Sequence, residues 1–164
     1  MFNGDADKAV EQLRKDVQDA RRGLVTPLRD PDPNATVTGK PTKVRKGDPD
    51  VAISDTLENE AAHTLARAGF DVEQNPAPQN HKKPDYKING EYFDALAPKS
   101  AKPRNVWDRI REKIEAKQTD RIVLILDRTP VTAEQVSVEL QLDPIEDLKQ
   151  IIAIQNGQWE TIWP

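Results

Sequence analysis

Ala6, Val10, Leu13, Val17, Ala20 and Leu24 recur at alternating four- and three-residue steps. That spacing keeps them on one narrow stripe and predicts an amphipathic helix over residues 5–24. The periodicity then stops. Residues 25–50 hold Pro27, Pro31, Pro33, Pro41 and Pro49 and few apolar side chains, which predicts a linker or irregular segment and a domain boundary near residue 50. Beyond it, Ser54 or Asp55 is placed to cap a helix running to about Ala68, with Gly69 as its stop. Phe70-Asp71-Val72-Glu73 alternates as a short strand does. A loop over 76–83 leads to Asn89-Gly90, the strongest short-range signal for a two-residue turn, inside a hairpin over 84–97. Asn105 is placed to cap a helix of about 106–118, with Val106, Ile110 and Ile114 on one side. Ile122-Val123-Leu124-Ile125-Leu126 has no polar alternation, the mark of a strand buried on both faces. Thr132 caps a helix to about Leu140, Ile151–Ile154 is a second buried strand, and Asn156-Gly157 turns it into a last strand ending at Trp163. This order predicts the α/β class: a mixed β-sheet flanked by helices, with an N-terminal helical appendage.

Composition agrees with one domain plus a looser part, since 32% of the 164 residues are charged and only 36% are hydrophobic. No run of about 18 apolar residues occurs, so no membrane-spanning helix is expected. The N-terminus lacks the apolar core of a secretory signal. The absence of cysteine excludes disulfides and thiolate metal sites, and two histidines make a histidine-rich zinc site a poor fit. The net charge of −4 hides a local pattern. Residues 82–117 carry ten Lys and Arg against six acids, a basic stretch able to collect a phosphate backbone.

The chemistry concentrates at the hairpin. With Ile88 and Glu91 flanking the turn, Lys87 faces Tyr92, Tyr86 faces Phe93, and Asp85 faces Asp94. The last pair occupies a non-hydrogen-bonded position, where side chains approach closest and like charges destabilise the sheet. A cation between the aspartates, or a proton on one of them, relieves that repulsion. A polar strand start at Asp85 and a solvent-facing Asp94 form the bland alternative, because Tyr86, Ile88, Phe93 and Ala95 supply an apolar opposite face. Glu58 shares a helix face with Ala61, Ala62 and Leu65, which points a carboxylate toward the core or a cavity. Lys113 lies on the inner edge of its helix beside Ile114. It either snorkels to solvent or neutralises charge developing on a phosphate. Lys99 is a second candidate for that role.

Other polar residues read as ordinary. Glu60 and His63 fall on the helix surface, Asp127 reads as a turn residue, and Trp107, Trp159 and Trp163 as packing. No glycine-rich phosphate loop, Ser/His/Asp set or dinucleotide fingerprint is present.

The order of a helix acid, Pro84-Asp85 on one strand, Asp94 on its partner and then a lysine resembles the PD-(D/E)xK (restriction-endonuclease-like) nuclease superfamily. Leu57-Glu58-Asn59-Glu60, Ala66-Arg67-Ala68-Gly69-Phe70-Asp71-Val72, Pro84-Asp85-Tyr86, Phe93-Asp94-Ala95-Leu96-Ala97-Pro98, Asn105-Val106-Trp107 and Arg121–Leu124 resemble one branch of it. That branch is the C-terminal tRNA-nuclease toxin domain of contact-dependent growth inhibition proteins, Burkholderia type. The resemblance covers 51–164, and it implies that 1–50 is an upstream module serving entry into the target cell. It implies Glu58, Asp85 and Asp94 as acidic metal and water ligands and Lys113 as the catalytic lysine. It departs from the superfamily at Leu96, where the pattern has its lysine. It further implies an endoribonuclease acting on tRNA and a cognate immunity protein as partner. Export would occur at the end of a large cell-surface protein, and action in the cytoplasm of the target bacterium. All-oxygen ligands favour a divalent ion, Mg²⁺ first. Lys99, Lys102, Arg104 and Lys117 are the candidate RNA contacts. A DNA-cleaving nuclease of the same superfamily and a non-catalytic nucleic-acid-binding module are the alternatives.

Overall fold

The structure is a computed structural model that describes residues 4–21 and 23–164. Its elements run α1 (Gly4–Arg21), β1 (Thr38–Gly39), α2 (Pro49–Ala68), β2 (Val72–Gln74), β3 (Tyr86–Ile88), β4 (Glu91–Leu96), α3 (Pro103–Glu115), β5 (Arg121–Ile125), α4 (Ala133–Leu142), β6 (Gln150–Gln155) and β7 (Gln158–Trp163). The strands form one seven-stranded sheet in sequence order. β1–β2, β4–β5 and β5–β6 are parallel; the other pairs are antiparallel. The mixed α/β architecture expected from the sequence is the one observed.

Two apolar layers sandwich the sheet. On one side α2 brings Ala61, Ala62 and Leu65 against Tyr86, Ile88, Phe93, Ala95, Val123 and Ile125. On the other, α3 and α4 bring Val106, Ile110, Ile114, Val136 and Leu140 against Leu96, Ile122 and Leu124. Alternate residues of β5 therefore feed opposite layers, which is why its sequence is continuously apolar.

Two helix starts differ from expectation. α2 starts at Pro49, capped by the Asp48 side chain on the Asp50 N–H, because Pro fits the first helical position. Asp55 is instead a buried residue inside the helix, where its carboxylate takes the Arg45 guanidinium at 2.8 and 3.0 Å. α3 likewise starts at Pro103, with Lys102 at the cap position. Asn105 lies inside the helix and donates to the Ser100 hydroxyl at 2.9 Å.

The proline-rich stretch is irregular, as read, but it is strapped to the sheet. Gln150 is fully buried and grips both backbone groups of Val25 at 2.8 Å. Leu28 N donates to Gly69 O and Asp32 N to Arg67 O. Thr38–Gly39 then adds a parallel edge strand to β2. A Cβ at Gly39 would sit 2.1 Å from Gln74 O, so this contact requires glycine. Val10, Leu13 and Val17 of α1 are exposed, and the side chain of Ala20 lies outside the described set.

Candidate active site

Asn89 and Gly90 have φ of 49° and 87°, the left-handed pair that a type I′ turn needs. The turn sets the register, and the ladder pairs Ile88 with Glu91, Lys87 with Tyr92 and Tyr86 with Phe93, as expected. It ends there. Asp85 lies one residue outside β3, while β4 continues and pairs Asp94 with Ile122 of β5. The two aspartates are thus not a ladder pair. With β3 gone, the free Ala95 N–H is taken at 2.8 Å by the carboxylate of Asp85, a side chain replacing a strand. The sheet opens at this point, and the acids line the opening.

Asp94 alternates with Phe93 and Ala95, so it shares the face of Leu96 and looks toward α3. It is only 4% exposed, and its Oδ1 has no hydrogen-bond partner. Glu58 approaches from α2, where Tyr86 Oη donates to the Glu58 backbone carbonyl at 2.8 Å and pins that turn of helix. Its carboxylate accepts from the Thr42 hydroxyl at 3.1 Å. Lys113 approaches from α3 on the opposite side. It is half-buried, and its charge acts on all three carboxylates. Leu96, where the superfamily lysine would fall, faces the same helix and is 3% exposed in its apolar layer. The cation therefore reaches the acids from α3 instead.

Electrostatics agree with this crowding. Burial, then the neighbouring Asp85 charge, pushes the Glu58 carboxyl up to about 7. The same two causes push Asp94 up to about 6, against the pull of Lys113, the Asp85 backbone and Lys82. Burial also raises Asp85, opposed by the Ala95 N–H and Lys113. A cation placed among them would relieve all three. Among the described residues, however, no three His, Cys, Asp or Glu side chains are already gathered as a metal cage. The fit rests on the Asp85–Asp94 pair and the unpartnered Asp94 Oδ1.

The candidate RNA contacts divide. Lys99 is held by Asp50 at 2.8 Å. Arg104 pairs with Asp143 at 2.8 Å and lies 3.6 Å over the Trp107 ring. Lys102 and Lys117 are exposed at the two ends of α3. Asp127 is a turn residue, and the three tryptophans pack or brace: Trp107 on Asp143 O, Trp163 on Leu148 O, Trp159 edge-on to Phe70. Sequence reasoning missed Thr42 and Lys82. Thr42 sat in the presumed linker, and Lys82 was one charge in a basic run; nothing local marked either.

A family model described as the contact-dependent growth inhibition CdiA C-terminal domain matches residues 82–159. A curated protein of Burkholderia pseudomallei (strain 1026b), tRNA nuclease CdiA-2, is 33% identical over 140 residues, which is 85% of this chain. The chain spans 4% of that relative's length. A solved chain of the CdiA-CT/CdiI toxin and immunity complex from Burkholderia pseudomallei superposes with a TM-score of 0.74 at 35% identity. That match covers 78% of this chain and 98% of the solved one. With nearly the whole of a solved relative matched in both sequence and fold, this chain belongs to the family of CdiA C-terminal toxin domains of contact-dependent growth inhibition.

Proposed function

We propose that this chain is a metal-dependent endoribonuclease that cleaves tRNA in target bacteria and is neutralised by a cognate immunity protein. The observation that carries the reading is the meeting of Glu58, Asp85 and Asp94 with Lys113 where β3 leaves β4. Three acids and one lysine around a break in a mixed sheet are the arrangement expected of a PD-(D/E)xK nuclease, and we assign the chain to that superfamily. The relative named a tRNA nuclease supports RNA as substrate, and the solved toxin and immunity complex supports the partner. The domain would be delivered at the end of a large exported protein and act in the target cytoplasm. Among the described residues no helix is long and apolar enough to cross a membrane.

Asp85 and Asp94 would hold the divalent ion, Mg²⁺ first, with the Glu58 carboxylate as third acid. There the ion would supply Lewis-acid polarisation to a phosphate oxygen. Glu58 would orient the attacking water; its carboxyl sits at about 7 in the metal-free protein, and a cation beside it would draw that value down. Lys113 supplies fixed positive charge where the phosphate gains negative charge, from a position that needs no rearrangement. Thr42 keeps Glu58 oriented.

The test is cleavage of total RNA and of plasmid DNA by the purified chain, with Mg²⁺ or with EDTA. Loss of tRNA-sized species in Mg²⁺ only, abolished by Asp85→Asn with unchanged melting, supports the reading. Cleavage that survives EDTA removes the metal. Plasmid cleavage with intact RNA makes the chain a DNase. Intact nucleic acid with wild-type protein in every condition leaves a binding module.

A further inference from the structure

Beside the acids lies a cleft of about 740 Å³ between the 79–84 loop, β4 and the C-terminal end of α3. Glu58, Asp85, Asp94 and Lys113 do not line it, but its walls adjoin the last three in sequence. Tyr92 lies two residues before Asp94 on the same face of β4, and Lys117 lies four residues after Lys113, just past the end of α3. Pro84 adjoins Asp85, and Lys82 already acts on the Asp94 carboxylate.

The charges that line the cleft are unequal in availability. Arg121 is tied to Glu91 at 3.1 Å and Asp120 at 3.3 Å, and Lys149 to Asp120 at 3.0 Å. Lys82 and Lys117 form no ion pair among the described residues. Both are also held on stiff supports. Lys82 closes a two-residue turn in which Asn80 and His81 have φ of 50° and 66°, with Gln79 and Lys82 exchanging backbone hydrogen bonds at 2.9 and 2.8 Å. Lys117 stands at the end of α3 with φ 55°, its N–H bonded to Ile114 O at 3.0 Å. Tyr92 is the aromatic wall, half-buried, with the amides of Asn80 and Gln118 at the rim.

We propose that this cleft is the nucleotide subsite next to the scissile phosphate: it takes one unpaired nucleotide of the RNA, with the neighbouring phosphates on Lys82 and Lys117 and the base against Tyr92. The inference rests on the nuclease reading above and adds the residues that position its substrate. A volume of this order suits a nucleotide with part of its neighbour, within the roughly 300–1,000 Å³ of small-ligand sites. Tyr92 and the rim amides suit the face and edges of an unpaired base. Lys82 and Lys117 join the expected contacts at this cleft, whereas Lys99 and Arg104 lie elsewhere in exposed ion pairs with Asp50 and Asp143.

Binding separates the subsite from the chemistry. The background is Asp85→Asn, which keeps an oxygen for the Ala95 N–H. Affinity for deacylated tRNA and for a short single-stranded oligoribonucleotide is measured across a salt series. Lys82→Ala with Lys117→Ala is expected to weaken both at least tenfold and to reduce the log–log salt slope by about 1.4, two single-strand phosphates at about 0.7 each. Tyr92→Leu, which keeps apolar volume on β4, is expected to lose roughly tenfold on the oligonucleotide through stacking, with little change in slope. Unchanged affinity and slope in the double-lysine variant, at unchanged melting temperature, overturn the subsite while leaving cleavage by the wild type untouched. Failure of the wild type to cut any RNA overturns the nuclease reading instead.

Discussion

Replacing Asp94 with Asn should stabilise the metal-free protein and abolish its activity. Asp94 is 4% exposed with an unpartnered Oδ1, and it shares the opening with Asp85, Glu58, Lys113 and Lys82. Its carboxyl rises from 3.8 to about 6. The sign follows from proton counting. A folded state that holds the proton more tightly than the unfolded chain is fully favoured below the unfolded value and loses stability as pH rises. For Asp94 that loss spans about pH 4 to 6 and is complete above it. At ~1.4 kcal/mol per unit the shift corresponds to at most ~3 kcal/mol, and water at the rim reduces it to ~1–3. Asn carries no charge and offers amide donors beside Asp85, so it escapes this penalty. The assay is urea unfolding of both proteins in EDTA at pH 4, 5, 6, 7 and 8. The variant should gain on the wild type through pH 4–6 and keep the gain at pH 8. Adding Mg²⁺ should raise the wild type and leave the variant unmoved. Parallel pH profiles for the two proteins would refute the argument.

Lys113→Met keeps the aliphatic stem and removes the charge, so it should lower tRNA cleavage by roughly 100-fold or more, read in a single-turnover assay below the variant's own melting temperature. Tyr86→Phe removes the hydroxyl that pins the Glu58 carbonyl, and should cost about 0.5–1.5 kcal/mol in urea unfolding. Gly69→Ala should cost more than about 1 kcal/mol, because φ is 110° and the new Cβ would meet Arg29 O at 2.1 Å; denaturant unfolding measures it.

Local signals in this chain were legible where the physics is local. Asn89-Gly90 set the turn and hence three ladder pairs, because only a left-handed pair of residues closes that loop. Thr132 with Gln135 forms the reciprocal cap of α4. The unbroken apolar run of β5 matched burial on both faces. Helix starts were less legible, since Pro49 and Pro103 outrank Ser54 and Asn105 as first-turn residues and the two rules compete. The docking of residues 25–48 onto the domain could not be read, because it comes from Gln150, Gly69 and β2, all distant in sequence.

The same division holds at the site. Glu58, Asp85, Asp94 and Lys113 were singled out by the faces they occupy, because a helix or strand period dictates which side chains share a face. The period could not say that β3 begins only at Tyr86, that the Asp85 carboxylate takes the strand's place on Ala95, or that Lys99 and Arg104 pair with Asp50 and Asp143. Those outcomes depend on which partners other segments bring within a few ångströms. The sequence alone determined the inward-facing residues; tertiary packing decided which partners each of them meets, because a period fixes the face of a residue and not the segments packed against it.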